Sequence, residues 1–131
     1  MQPIRLAVNG TLMRGLELNS NLLGVGATFV CETQTAPTYR LWSIGDRHPA
    51  MLRVRVGGRA IAVEVWAVPP AGLAQILQQE PPGLCIGKVQ LASGKEVLGV
   101  LGEPWLCEGQ PEITIWGGWR AYLAQQSTGR S

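Results

Sequence analysis

Two short stretches hold the residues best suited to chemistry. The first, LAVNGTLMRG at residues 6–15, breaks an apolar run with Asn9-Gly10-Thr11. A turn there leaves the backbone N–H groups of Gly10, Thr11, Leu12 and Met13 without ladder partners. Successive N–H groups aimed into one concavity hold an anion, and a glycine lets the backbone approach a ligand closely. The same spacing also fits a plain strand-to-helix turn. The second stretch, ILQQEPPG, puts Glu80 at the end of a helical pattern, just ahead of Pro81. A carboxylate at a helix C-terminus meets an unfavourable dipole. If it is also desolvated, its pKa rises and it can serve as a general acid or base. The alternative is a solvated helix-end carboxylate.

The remaining polar candidates are fewer. Arg40 in TYRLW and Arg120 in GGWRAY lie in aromatic, low-polarity sequence, where an arginine must pair, stack or bind an anion. The expectation for Arg40 is that its guanidinium reaches the turn's pocket or forms a buried pair. Stacking on Trp42 or Trp119 is the purely structural alternative. Glu64, inside AIAVEVWAV, is expected to pair with Arg53 or Arg55 across a sheet. His48, the only histidine, sits between Arg47 and Pro49 in what reads as a polar surface loop, and is expected to have no role. A Ser-His-Asp triad would have to run through it, and no G-x-S-x-G is present. One histidine also rules out a His-rich metal site.

Composition narrows the classes. A chain of 131 residues is one domain on length, here expected to span residues 1–126 with a flexible tail over 127–131. With 46% apolar and 15% charged residues it is globular. A net charge of +2 without basic runs argues against nucleic acid. Cys31, Cys85 and Cys107 are odd in number, far apart and free of C-x-x-C, so they read as buried free thiols, with neither zinc nor disulfides. No signal-peptide pattern and no run of 18 apolar residues is present, giving the expectation of a soluble cytoplasmic chain without membrane contact.

Periodicity supplies the elements that would position these residues. IRLAVNG, ATFVCETQT, YRLWSI, MLRVRV, AIAVEVWAV, LCIGKVQLA and EVLGVLGE read as strands. Leu52, Val54 and Val56 share one face of the fourth. Gly57-Gly58 reads as a hairpin turn between the fourth and fifth, and SGK as another between the last two. A short helical turn near Asn19 and Ser20, a helix over PAGLAQILQQE with Leu73, Ile76 and Leu77 inward, and a helix over residues 118–125 complete the list. Six or seven strands in hairpin order with two or three helices imply an α+β class with a mostly antiparallel sheet.

Several of these segments are similar to a known family. VNGTLMRG resembles the YGTLxxG signature of the gamma-glutamylcyclotransferase-like fold. TAPTYRLW, EVWAVP, IGKVQLASGKEVLGVL and GGWRAYL resemble the C-terminal domain of allophanate hydrolase more closely. The resemblance covers about residues 6–123 and implies a mixed, barrel-like, mostly antiparallel sheet with two or three flanking helices and a pocket at the GTL loop. It implies binding of a small carboxylate and decarboxylation of N-carboxycarbamate in urea and allophanate metabolism, with no metal or organic cofactor. An amidase-signature protein is the implied partner, and homo-oligomers stay open. By resemblance, Gly10, Thr11, Leu12 and Met13 supply backbone donors, and Tyr39 and Arg40 of YRL face the pocket. Two positions depart from the patterns: Leu12 stands where the allophanate-hydrolase loop carries a catalytic histidine, and Asn9 where the cyclotransferase signature carries tyrosine. ILQQEP resembles the cyclotransferase LDxxEG, which places Glu80 on the catalytic glutamate while Leu77 replaces the aspartate. A gamma-glutamyl cyclotransferase-like enzyme using Glu80, or a non-catalytic assembly module for an amidase, are the alternative readings.

Overall fold

The computed structural model describes residues 2–128. Among these residues, seven strands form two sheets. The larger has the order β2-β5-β1-β7-β6, and the smaller pairs β3 with β4. The strands are β1 (Ile4–Val8), β2 (Thr28–Gln34), β3 (Tyr39–Ile44), β4 (His48–Arg53), β5 (Ala62–Val68), β6 (Leu84–Gln90) and β7 (Glu96–Gly102). All pairings are antiparallel except β1 with β7. The two edge strands meet at one end: Thr35 bridges Leu91, and Ala36 N–H and Ala92 N–H donate to Gln90 O and Gln34 O, both at 2.9 Å. The sheet therefore curls towards a barrel, as the resemblance implies.

Four helices surround it among the described residues: α1 (Asn19–Gly24), α2 (Pro70–Gln79), α3 (Pro104–Cys107) and α4 (Trp119–Thr128). The single-turn α3, opened by Pro104 at its first turn, exceeds the expected two or three helices. Helix α4 starts one residue later than expected and continues to Thr128, past the proposed tail boundary; residues 129–131 of that tail lie outside the described residues.

Two sequence expectations about pairing fail for one reason. β4 turns back on β3, so Gly57-Gly58 does not close a hairpin between β4 and β5. The Gly58 backbone instead presses on Thr38, where an added Cβ would lie 2.7 Å from the Thr38 backbone. With β4 ending at Arg53, Val54 is only partly buried and Val56 is 79% exposed. Only β3–β4 and β6–β7 are hairpins of neighbouring strands. On α2, Leu73 and Ile76 are buried, but Leu77 is exposed.

The main core gathers Leu6 and Val8 of β1, Trp66 and Val68 of β5, Tyr39 and Leu41 of β3, Met51 of β4, Ile76 of α2 and Trp119 of α4. Ala7, Val63, Val65 and Leu91 form a second, smaller cluster, so β5 is covered on both faces. Of the cysteines, only Cys107 is buried. Cys31 and Cys85 are exposed, because they lie on the edge strands β2 and β6 rather than in the interior.

Candidate functional site

The site begins where β1 stops. Asn9 is buried, and its side-chain amide donates to Val100 O at 2.9 Å, which ties the end of β1 to β7. Gly10 then lies against β4 so closely that an added Cβ would sit 2.5 Å from Pro49 Cδ. No residue with a side chain fits there without displacing Pro49.

The next residues are held by their carbonyls. Gly10 O accepts from Met13 N–H (3.0 Å), Thr11 O from Leu18 N–H (2.9 Å) and Met13 O from Leu16 N–H (3.1 Å). Leu12 O accepts from the Asn19 side chain at 2.8 Å. All four acceptors of the loop thus face protein donors. Of the four amides, Met13 N–H is spent in this turn, whereas those of Gly10, Thr11 and Leu12 have no protein acceptor among the described residues. The loop is polarised, with carbonyls tied back and three donors left over.

Gly10, Thr11 and Leu12 line an inner cavity of about 20 Å³ together with Val8, His48, Pro49 and Glu80. That is room for about one water. Thr11, His48 and Glu80 also border an outer cavity of about 230 Å³, whose walls add Glu17, Arg47 and Pro81. The second cavity is large enough for a small organic anion, and the two share Thr11, His48 and Glu80 as walls.

Glu80 caps the C-terminus of α2 in an extended conformation (φ −70°, ψ 144°), the backbone region that Pro81 imposes on the residue before it. This turn carries the carboxyl into the wall of both cavities. Burial pushes the carboxyl from its ordinary 4.5 up to about 7. It is therefore divided between acid and carboxylate near neutral pH, the condition for moving a proton in either direction.

The loop's far end is fixed by a charge cluster that sequence reasoning placed elsewhere. Glu64 is 2% exposed, because β5 is covered on both faces, and its partners are not Arg53 or Arg55. Arg14 N–H donates to Glu64 Oε1 at 2.9 Å and the Trp66 indole to the same oxygen at 3.1 Å, while Arg14 Nε and Arg120 Nη2 reach Oε2 at 3.3 and 3.0 Å. Burial raises the Glu64 pKa, but the hydrogen bonds from the Arg14 amide, Trp66, Arg120 and the Arg14 guanidinium outweigh it and leave the group below its ordinary value. Arg120 also donates to Arg14 O, so α4 clasps the loop directly instead of stacking on a tryptophan.

The structure brings Gly10, Thr11, Leu12 and Glu80 together. It places Tyr39 and Arg40 elsewhere, against expectation, because β3 alternates. Tyr39 points into the core, where its hydroxyl accepts from Gln90 N–H at 3.0 Å. Arg40 points outward, donates to Gly57 O and pairs with Glu112, both at 3.3 Å and with its side chain 36% exposed, so the pair is not buried either. Met13 borders a separate groove beside Glu64 and Arg120. His48 is a correction in the other direction. It is the first residue of β4 rather than a free surface loop, and it lines both cavities. Arg47 lines the larger of these cavities, and its only signal in the sequence is its place beside the chain's one histidine.

Fold and site together define a class: a curled α+β barrel whose first strand ends in a polarised amide loop, facing a carboxylate carried from the end of α2. The description "Allophanate hydrolase C-terminal domain" belongs to the family model that matches residues 4–124, and this chain is a member of that family. It is 34% identical over 127 residues to a urea amidolyase of Saccharomyces cerevisiae, covering 92% of this chain but only 7% of that protein. The chain thus spans a small part of that relative. Among solved structures, a uropathogenic Escherichia coli-specific protein is 58% identical with a TM-score of 0.93, covering 95% of this chain and 98% of that one. Kluyveromyces lactis allophanate hydrolase matches at 30% identity and a TM-score of 0.89, over 95% of this chain and 21% of that one. An AIG2-like protein of Mus musculus, 19% identical over 87% of this chain and 88% of that one with a TM-score of 0.65, shares the fold alone. Homologous domains therefore occur within larger enzymes and also as a chain of nearly this length.

Proposed function

We propose that this domain binds a small carboxylate at the GTL loop and exchanges a proton with it through Glu80. The observation that carries the reading is the loop's polarity: four carbonyls tied back, and the amides of Gly10, Thr11 and Leu12 left over beside the half-buried Glu80 carboxyl. Those amides hold a carboxylate or a developing oxyanion. Arg47, with no ion-pair partner among the described residues, supplies a cation to the second cavity, whose wall also carries Glu17 and Glu80.

Family membership directs the reading to N-carboxycarbamate. Its C–N bond breaks, the electron pair stays on nitrogen, and nitrogen takes the proton of the Glu80 carboxyl as carbon dioxide leaves and carbamate remains. Leu12 cannot move a proton; His48 and Glu80 both line the two cavities, and Glu80, which burial raises to about 7, takes the task in this reading. An amidase-signature protein supplies the unstable substrate, and no metal or organic cofactor takes part. The test feeds ¹³C-labelled allophanate to the amidase portion of an allophanate hydrolase and follows ¹³CO₂ release with and without this domain. Release should accelerate with the domain, and Glu80→Gln should reduce that acceleration by about 100-fold or more. No acceleration rejects the decarboxylation reading.

The placement of Glu80 in the cavity also favours a second reading, gamma-glutamyl cyclotransferase-like chemistry. There the substrate's α-amine attacks its own side-chain amide carbonyl, the amides of the loop hold the oxyanion, the γ-amide C–N bond breaks, and Glu80 relays the proton lost by the α-amine to the departing amine. Release of 5-oxoproline from gamma-glutamyl amines distinguishes it. A non-catalytic module would bind a carboxylate and turn over neither substrate.

A further inference from the structure

His48 adds to the donor amides and the titrating Glu80 carboxyl an acceptor whose tautomer is set by the fold. Its Nδ1 lies 3.1 Å from Pro49 O. A carbonyl oxygen only accepts hydrogen bonds, so the ring nitrogen facing it carries the hydrogen. In the neutral ring, the other nitrogen, Nε2, is then an acceptor with a free lone pair. Pro49 is itself fixed, because its ring packs against Gly10 in the loop. The hydrogen bond that sets the tautomer is thus built into the wall of the cavity.

The cavity consequently has two kinds of polar surface. The amides of Gly10, Thr11 and Leu12 are donors only. His48, on β4 beside the loop, lines the same two spaces. Leu12, Val8, Leu84 and Val100 add apolar wall, and Glu80 contributes its carboxyl to both spaces. A bare carboxylate satisfies the donors and leaves the imidazole acceptor unpaired. A ligand with an N–H next to its carboxylate satisfies both.

We propose that His48 Nε2 is a specificity-determining acceptor, so that the site selects small carboxylates bearing an adjacent N–H over isosteres with carbon in that place. This rests on the reading of the GTL loop as a carboxylate site and adds the second recognition element.

Oxamate and pyruvate make the comparison. They share a carboxylate beside a carbonyl and differ by an amide NH₂ in place of a methyl group. Calorimetric titration of the untagged protein at pH 7.5 should give oxamate about tenfold higher affinity, the worth of one hydrogen bond. His48→Phe should bring the two affinities together, the ratio of oxamate to pyruvate affinity falling to about one. Because His48 is the only histidine, a long-range ¹H–¹⁵N spectrum reports its tautomer without assignment. Nδ1–H with bare Nε2 is expected, and oxamate but not pyruvate should shift the Nε2 resonance. Equal affinities in the parent protein, a preference that survives His48→Phe, or an Nε2–H tautomer would overturn the inference while leaving carboxylate binding intact. If neither acid binds, the carboxylate-site reading falls and the inference falls with it.

Discussion

Glu80→Gln keeps the shape of the side chain and removes its charge, which isolates what burial does to this carboxyl. The unfolded chain releases the proton near pH 4.5, whereas the folded chain holds it until about 7. Between those values the folded state binds more protons, so stability falls as pH rises and the loss is complete above about pH 7. A carboxyl moved from 4.5 to about 7 corresponds to about 3 kcal/mol. Water at the cavity mouth screens part of this, leaving about 2 kcal/mol. Urea unfolding of the parent and Glu80→Gln at pH 5, 6, 7 and 8 gives the difference directly, since every other titrating group cancels. The variant should gain about 2 kcal/mol on the parent between pH 5 and pH 8, about 6–8 °C in Tm for a domain of this size. A difference that stays constant across that range would mean that Glu80 is solvated and ionised throughout, and the proton-transfer role would lose its physical basis.

Glu64 should behave with the opposite sign: its depressed pKa contributes stability above the ordinary carboxylate range that is lost as pH falls through the folded value, and Glu64→Gln should flatten that acid limb. Glu64→Ala should cost about 2–3 kcal/mol in chemical denaturation, less than a fully buried pair, since Arg14 and Arg120 are half-exposed and rehydrate. Gly10→Ala puts a methyl group 2.5 Å from Pro49 Cδ, so it should lower stability by about 1–3 kcal/mol and weaken carboxylate binding in the same protein. Arg40→Ala removes only a surface pair and should change stability by no more than about 1 kcal/mol, with malonate affinity unaltered by calorimetry.

Local signals in the sequence carried the loop, the strands near it and the place of Glu80. Asn9-Gly10 ended a strand as its residue types require, and Pro81 marked the helix end that presents Glu80. What failed depended on contacts between distant segments. Glu64 reads as half-exposed in an alternating strand, and only the packing of both faces of β5 makes it a buried anion needing Arg14 and Arg120. Arg40 lies in an apolar strand, yet alternation on a two-stranded sheet points it outward. His48 looked like loop because its neighbours are polar. The pairing of Ile44 with His48 makes it a strand residue, and the contact of Gly10 with Pro49, 39 positions away in the chain, sets it beside the GTL loop. No periodicity in the sequence encodes that contact.

The most direct measurement is a ¹H–¹⁵N correlation titration of the labelled domain with malonate at pH 6, where the Glu80 carboxyl is mostly protonated. The amide signals of Gly10, Thr11 and Leu12 should shift together and saturate with one dissociation constant, and binding should weaken at pH 8 as Glu80 ionises beside the bound anion. Unmoved signals at those three residues, or saturable shifts centred on Tyr39 and Arg40 instead, would contradict the site.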